Sequence, residues 1–83
     1  MSTSDRLHAG EHGRLLLRGQ ELHAGDPLEL QVRGAYVPAR VEWSPDRGWY
    51  ALYREAGRSH RELTALLGPG TVARPLSDRS DER

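Results

Sequence analysis

The sequence predicts a mainly β protein: a small antiparallel barrel of four to five strands with one short helix near residues 60–67. Three observations lead to this fold class. Two adjacent segments alternate apolar and polar residues with the period of a half-buried strand. Turns rich in Gly and Pro separate the apolar segments. The chain has 83 residues, of which 36% are hydrophobic, so one small core is all that it can form.

The two central strands, over residues 27–33 and 36–43, carry the clearest alternation. Their apolar positions are Leu28, Leu30, Val32, Val37, Ala39, Val41 and Trp43. A tight turn at Gly34-Ala35 brings these positions to one face of a hairpin, with Val32 opposite Val37. Proline has no N–H for the hydrogen-bond ladder, so Pro38 predicts a wider loop or a bulge in this hairpin.

A second hairpin is predicted at the turn over residues 44–48, where Pro45 presets φ and Gly48 can adopt a positive φ. In the favoured register Ser44 opposes Trp49, and Leu52 joins the core. The outward side chains are then Trp49, Ala51 and Tyr53. A one-residue slip would exchange the two faces, burying these three side chains and exposing Tyr50 and Leu52.

The flanking segments complete the predicted domain, which covers residues 14–75. Residues 14–18 form a short strand, and residues 71–74 form a closing strand. Ser59 and Glu62 have the spacing of a helix capping box, followed by leucines at helical spacing, which predicts a helix over residues 60–67. Residues 1–13 and 76–83 are predicted to be a disordered arm and tail. If the arm docks, its anchor is Leu7.

A family resemblance supports the barrel. The run from Gly13 to Pro75 resembles a Src-homology-3-like β-barrel, and it is similar to a family of small uncharacterised bacterial domains. The matching residues are Glu21, Leu22, Gly25, Asp26, Arg40, Val41, Glu42, Gly48, Trp49, Tyr50, Leu52, Gly70, Val72 and Pro75. The resemblance implies a fold and no catalytic residues. It leaves an extended conformation open for residues 60–67.

Composition excludes several classes of function. Twelve basic and twelve acidic residues give no net charge, so a strongly basic nucleic-acid-binding surface is not expected. The absence of cysteine excludes disulfides and thiolate chemistry. No apolar segment has the length of a signal peptide or membrane span, and we expect a cytoplasmic protein. Every strongly basic side chain is Arg, and Lys and Phe are absent, which is typical of a GC-rich bacterial genome.

The sequence predicts no catalytic residue, metal or cofactor. His8 and His12 have the spacing of a helical metal site, but glycines flank them, and solvated side chains are the simpler interpretation. Ser59 and His60 are adjacent only in sequence and would point apart on a helix. No glycine-rich phosphate loop is present.

The favoured register predicts an outward surface of aromatic and guanidinium groups. Its residues are Arg33, Tyr36, Arg40, Trp49 and Tyr53. We interpret this surface as the partner-binding site of a non-enzymatic protein-interaction module, such as an accessory or regulatory subunit. The alternative is a small nucleic-acid-binding barrel that stacks aromatic rings on bases and pairs Arg with phosphates. Steep salt dependence would distinguish the second function from the first.

Overall fold

A computed structural model describes residues 5–54 and 61–76. It contains eight strands and one 3-10 turn over Glu11–Gly13. The strands are β1 His8–Ala9, β2 Leu15–Leu17, β3 Gln20–Glu21, β4 Pro27–Val32, β5 Ala35–Ser44, β6 Gly48–Arg54, β7 Glu62–Leu66 and β8 Ala73–Arg74. They form two antiparallel sheets, one in the order β1-β2-β3 and the other in the order β7-β6-β5-β4-β8.

The mainly β prediction is confirmed, but the number and arrangement of strands differ from the expected barrel. Among the described strands, no ladder joins the two sheets into a closed barrel. The three-stranded sheet instead covers one face of the five-stranded sheet, which we call the inner face. No helix of the described ranges is long and apolar enough to cross a membrane.

In the hairpin of β4 and β5, the predicted apolar side chains share one face of the sheet, but the pairing of the two strands is shifted by two residues. The turn lies at Arg33-Gly34, where both residues have positive φ (53° and 82°), as in the tight turns that match strand twist. Leu30 therefore pairs with Val37 instead of Ala39. A two-residue shift leaves the same side chains on the same face.

Pro38 fits this hairpin without the predicted wider loop or bulge. The Val41 N–H donates to the Asp26 carbonyl at 2.8 Å, so odd-numbered residues of β5 form the hydrogen bonds to β4. The nitrogen of Pro38 therefore points away from β4. On its other side, the pairing of β5 with β6 ends at Ala39. No ladder hydrogen bond is lost at the proline.

The hairpin of β5 and β6 adopts the slipped register, so the favoured one is wrong. Gly48 has a φ of 75° and pairs with Ser44, which shortens the loop to residues 45–47. Trp49 therefore opposes Trp43, and Val41 opposes Ala51. The one-residue difference turns Trp49, Ala51 and Tyr53 to the inner face and Tyr50 and Leu52 to the outer face.

The predicted helix over residues 60–67 is wrong where the structure describes it. Residues 62–66 form strand β7, which pairs with β6 along its whole length. Leu63 and Ala65 face inward, while Leu66 is 70% exposed on the outer face. A helix of one or two turns has little stability of its own, and the edge of β6 offers this segment a full set of backbone partners. Ser59 of the predicted capping box lies outside the described residues, and its partner Glu62 is the first residue of β7.

The N-terminal segment differs from the predicted disordered arm over residues 5–13. Leu7 is completely buried, and its N–H donates to the Thr71 carbonyl at 2.8 Å. Arg6 forms a β-bridge with Val72. The Arg18 Nε lies 2.7 Å from a carboxylate oxygen of Asp5. The ordered domain therefore begins before residue 14, while the predicted tail from residue 77 lies outside the described ranges.

The core lies between the two sheets and contains more of the N-terminal half than predicted. Leu28, Leu30, Ala39 and Val41 are buried as predicted, and Val32 and Val37 are partly buried against them. Seven residues that we did not place in the core complete it: Leu7, Leu15, Leu17, Leu22, Ala51, Leu67 and Ala73. Two predicted core residues are not buried. Leu52 faces outward, and Trp43 is 51% exposed.

One charged pair stabilises the opposite, outer face. The Glu29 side chain is almost completely buried, and its carboxylate accepts a hydrogen bond from the Arg74 Nε at 2.7 Å. The guanidinium of Arg74 also lies 4.0 Å from the centre of the Tyr36 ring. The pair joins β4 to β8, so the closing strand is held by side chains as well as by its short ladder.

The burial of Leu7 predicts that the N-terminal segment is part of the cooperative fold. Leu7→Ala should destabilise the domain by about 2–5 kcal/mol, because it leaves a cavity in a small core. His8→Ala, at the exposed neighbouring position, is the control and should change stability by less than about 0.5 kcal/mol. Urea denaturation measures both. Equal stability of the two variants would mean that the segment does not contribute to the folded domain.

The burial of Glu29 predicts unequal effects of two arginine substitutions on one face. Arg74→Met should destabilise the domain by about 3–5 kcal/mol, because it removes a partner of a buried carboxylate. Arg40→Met removes the exposed partner of Glu42, whose carboxylate lies 2.6 Å away, and should cost less than about 1 kcal/mol. Thermal denaturation of both variants checks the difference. Similar losses would show that Glu29 does not depend on Arg74.

Candidate functional site

The inner face of the five-stranded sheet is not fully covered near the turn between β5 and β6. A depression of about 400 Å³ opens there. Two tryptophans from this hairpin form one side of it, and two loops from the N-terminal half form the other. Its lining residues are His12, Gly13, Arg14, His23, Ala24, Trp43 and Trp49. We call it the tryptophan depression.

The two tryptophans face each other across the ladder but differ in their surroundings. Trp49 is partly buried, and its indole N–H donates to the Gly13 carbonyl at 2.8 Å. Trp43 is 51% exposed, and no described residue accepts a hydrogen bond from its indole N–H. Trp49 is therefore a fixed wall of the depression, whereas Trp43 offers both an apolar ring and a donor to a ligand.

The loop over residues 12–14 owes its course to two successive residues with positive φ. His12 has a φ of 58° and Gly13 a φ of 75°. Glycine adopts this conformation without strain, whereas histidine adopts it less readily. This backbone path turns the Gly13 carbonyl toward Trp49. It also places Arg14 on the rim, where its guanidinium forms no ion pair with the described part of the chain.

The second loop is held by a local turn over residues 23–26. The His23 backbone N–H donates to a carboxylate oxygen of Asp26 at 2.8 Å, and the Asp26 N–H donates back to the His23 carbonyl at 3.0 Å. The His23 ring lies 3.6 Å from Asp26 and 3.8 Å from Glu21. The rim of the depression therefore carries acidic and basic groups side by side.

Apart from Ala24, the described side chains of the tryptophan depression are aromatic, basic and imidazole groups. The site combines an exposed aromatic ring with polar groups of both signs, which is the composition of many protein-binding surfaces. Within residues 5–54 and 61–76, no group of three His, Asp or Glu side chains is placed to hold a metal ion. The lining includes no serine, threonine or cysteine that could act as a nucleophile beside its histidines.

The five residues predicted to form one binding surface lie on both faces of the sheet. Tyr36 and Arg40 are on the outer face, and Trp49 and Tyr53 are on the inner face. Arg33 lies in the turn between β4 and β5. The slipped register of β6 separates these groups, because it turns Trp49 and Tyr53 away from Tyr36 and Arg40.

The two residues of this set on the outer face have partners within the domain. Tyr36 lies beneath the Arg74 guanidinium, and Arg40 is paired with Glu42. Arg40 and Tyr53 also meet at a second depression, of about 450 Å³, which extends to Arg54 and Leu76.

Sequence reasoning predicted only Trp49 among the residues that line the depression, and Trp43 is the exposed tryptophan that it missed. Its alternation with Val41 is real, since both side chains face inward, and it led us to place Trp43 in the core. The available signal was its position, because Trp43 stands one residue before Ser44, where the hairpin turn begins. A large ring at the end of a sheet extends beyond what three short covering strands can bury.

Fold and site together define a small two-sheet β domain with a tryptophan-lined surface depression. The chain belongs to the family described as "Domain of unknown function (DUF5348)", whose model matches residues 4–67. No curated protein and no solved structure matches the chain. The matched residues include the N-terminal segment, strands β1–β7 and all seven residues that line the tryptophan depression. Strand β8 lies outside the match.

The unequal burial of the two tryptophans predicts different stabilities for two matched variants. Trp49→Ala should destabilise the domain by about 3–5 kcal/mol, because it removes a packed ring and its hydrogen bond to Gly13. Trp43→Ala should cost about 1 kcal/mol or less, because half of its surface is exposed. Chemical denaturation followed by far-ultraviolet circular dichroism measures both. A larger loss for Trp43→Ala would contradict the assigned roles.

Proposed function

We propose that this domain is a non-enzymatic protein-interaction module whose docking site is the tryptophan depression. The observation that carries the proposal is the exposure of Trp43 beside a fixed second tryptophan. Exposed tryptophan is costly to leave in water, and it is among the residues most enriched at the energetic centres of protein interfaces. The wall formed by Trp49 and Gly13 holds the site in shape before a partner arrives, which lowers the entropy cost of docking.

The depression suits one protruding side chain of a partner. An apolar or aromatic side chain can cover the Trp43 ring, while a backbone carbonyl beside it accepts the free indole N–H. Arg14 on the rim can then pair with an acidic group of the partner. These contacts place a buried aromatic anchor at the centre and polar contacts around it.

The charges around the depression favour a protein partner over nucleic acid. Arg14 supplies one positive charge, but Glu21 and Asp26 lie close to His23 on the same rim. A polyphosphate backbone crossing this rim would meet carboxylates as well as the guanidinium. The chain as a whole has no net positive charge to attract it.

The proposal includes a cellular setting and a finer fold comparison. We include the resemblance to a Src-homology-3-like barrel in the proposal, because this chain is also a small, mainly β, antiparallel domain. The arginine-only composition supports a bacterial source. A cytoplasmic accessory or regulatory subunit would be consistent with a domain of this size.

Affinity capture with three immobilised proteins tests the docking site. The wild type, Trp43→Ala and Tyr50→Ala are exposed to a lysate of the source organism, with and without nuclease, at low and moderate salt. Tyr50→Ala is the matched control, because it removes an aromatic ring from the outer face. We expect proteins that the wild type and Tyr50→Ala retain equally, and that Trp43→Ala retains at least about tenfold less.

Two results would overturn the proposal. Retention that disappears on nuclease treatment and falls steeply with salt would favour the nucleic-acid alternative. Equal retention by the wild type and Trp43→Ala would mean that the tryptophan depression is not the docking site. Circular dichroism of each variant shows whether it is folded before capture.

A further inference from the structure

The two edges of the five-stranded sheet differ in the backbone hydrogen bonds that they form with other described segments. At the β8 edge, the N-terminal segment adds backbone hydrogen bonds: Ala73 donates to the Asp5 carbonyl at 3.1 Å, and Gly70 donates to the Leu7 carbonyl at 2.8 Å. At the other edge, β7 pairs with β6, and no other described strand pairs with it. One edge is therefore covered, and the β7 edge is open among the described strands.

The register shows which backbone groups of β7 point outward. The Leu67 N–H donates to the Trp49 carbonyl at 3.0 Å, so odd-numbered residues of this strand form the hydrogen bonds to β6. The even-numbered residues therefore direct their N–H and C=O groups to the open edge. These residues are Glu62, Thr64 and Leu66, and together they present three donors and three acceptors.

The open edge lacks the features that usually prevent edge pairing. It contains no proline and no lysine, and its ladder with β6 runs without a bulge from residue 62 to residue 66. Its only charged side chain is Glu62, at the start of the strand. Leu66, at the other end, is 70% exposed. A regular five-residue edge of this kind is a template for another strand.

We propose that two copies of this chain associate through antiparallel pairing of their β7 strands about Thr64. In this register Thr64 of one copy opposes Thr64 of the other, and Glu62 opposes Leu66. All twelve outward groups of the two edges are then paired. No like charges face each other, and the Thr–Thr pair is a favourable cross-strand contact.

The covered β8 edge explains why the assembly would stop at two copies. Because residues 5–7 hydrogen-bond at that edge, the five-stranded sheet of each copy has one open edge among its described strands, and a two-fold pair uses both. The result is a continuous ten-stranded sheet. None of the residues that line the tryptophan depression belongs to β7, so the paired strands include no part of that lining.

Two matched substitutions at Thr64 test the pairing, using the full-length protein. Thr64→Pro removes the outward N–H and leaves the hydrogen bonds to β6 in place, which edge strands tolerate. Thr64→Val keeps the N–H and the β-branched shape. Sedimentation equilibrium over a wide concentration range should show a reversible dimer for the wild type and Thr64→Val. We expect Thr64→Pro to dimerise at least about tenfold more weakly.

Amide hydrogen exchange gives a second measurement on the unmodified protein, independent of how Thr64→Pro folds. The amides of Leu63 and Ala65 should be protected at every concentration, because they bond to β6. The amides of Glu62, Thr64 and Leu66 should become protected only as the concentration rises. A protein that stays monomeric at millimolar concentration, or a Thr64→Pro variant that is folded and dimerises like the wild type, would overturn the proposal. Protection of the three edge amides at every concentration would also overturn it, since the edge would then be covered within one copy.

Discussion

The constraint on which the structure depends is the need to cover one apolar face of a five-stranded sheet with very little chain. The cover consists of three strands of two or three residues and the segment that leads into them. Four leucines supply its buried surface: Leu7, Leu15, Leu17 and Leu22. In a domain with so small a core, each of these side chains is a large fraction of the stabilising burial. A segment as polar as residues 5–13 is held in place because it contributes Leu7, which is completely buried in this small core.

Alternation in the sequence predicted which residues of one strand share a face. It did not predict which of the two alternating sets in the next strand lies on that same face of the sheet. That choice depends on the length of the loop between the two strands. At Gly34 the turn moved by one residue, which shifted the pairing by two residues and left the face unchanged. At Gly48 the glycine became a paired residue, which shifted the pairing by one residue and reversed the face of β6. A loop length is set by local backbone conformation, and two lengths that differ by one residue look alike in a sequence.

The other failures of sequence reasoning have a common physical origin. Residues 62–66 have helical spacing and residues 5–13 have almost no apolar content, so local criteria predict a helix and a disordered arm. Both segments are instead held by backbone hydrogen bonds to distant parts of the chain, β6 in one case and residues 70–73 in the other. Every residue except proline carries the same backbone donor and acceptor, so the sequence does not show where partners for them are available. The candidate site shares this dependence, because Trp43 can be recognised as exposed only when the extent of the cover is known.

The same shortage of covering chain accounts for both surfaces that we propose as interaction sites. The backbone of residues 5–7 lies along β8, so it cannot also protect the opposite edge at β7. The leucines of the cover belong to the buried cluster that contains Leu28, Leu30 and Val41, whereas Trp43 lies outside this cluster and is 51% exposed. A larger domain would bury both places under further elements. In this one, the uncovered edge offers backbone hydrogen bonds and the uncovered end of the inner face offers an aromatic ring, so two chemically different surfaces remain available for association on one small fold.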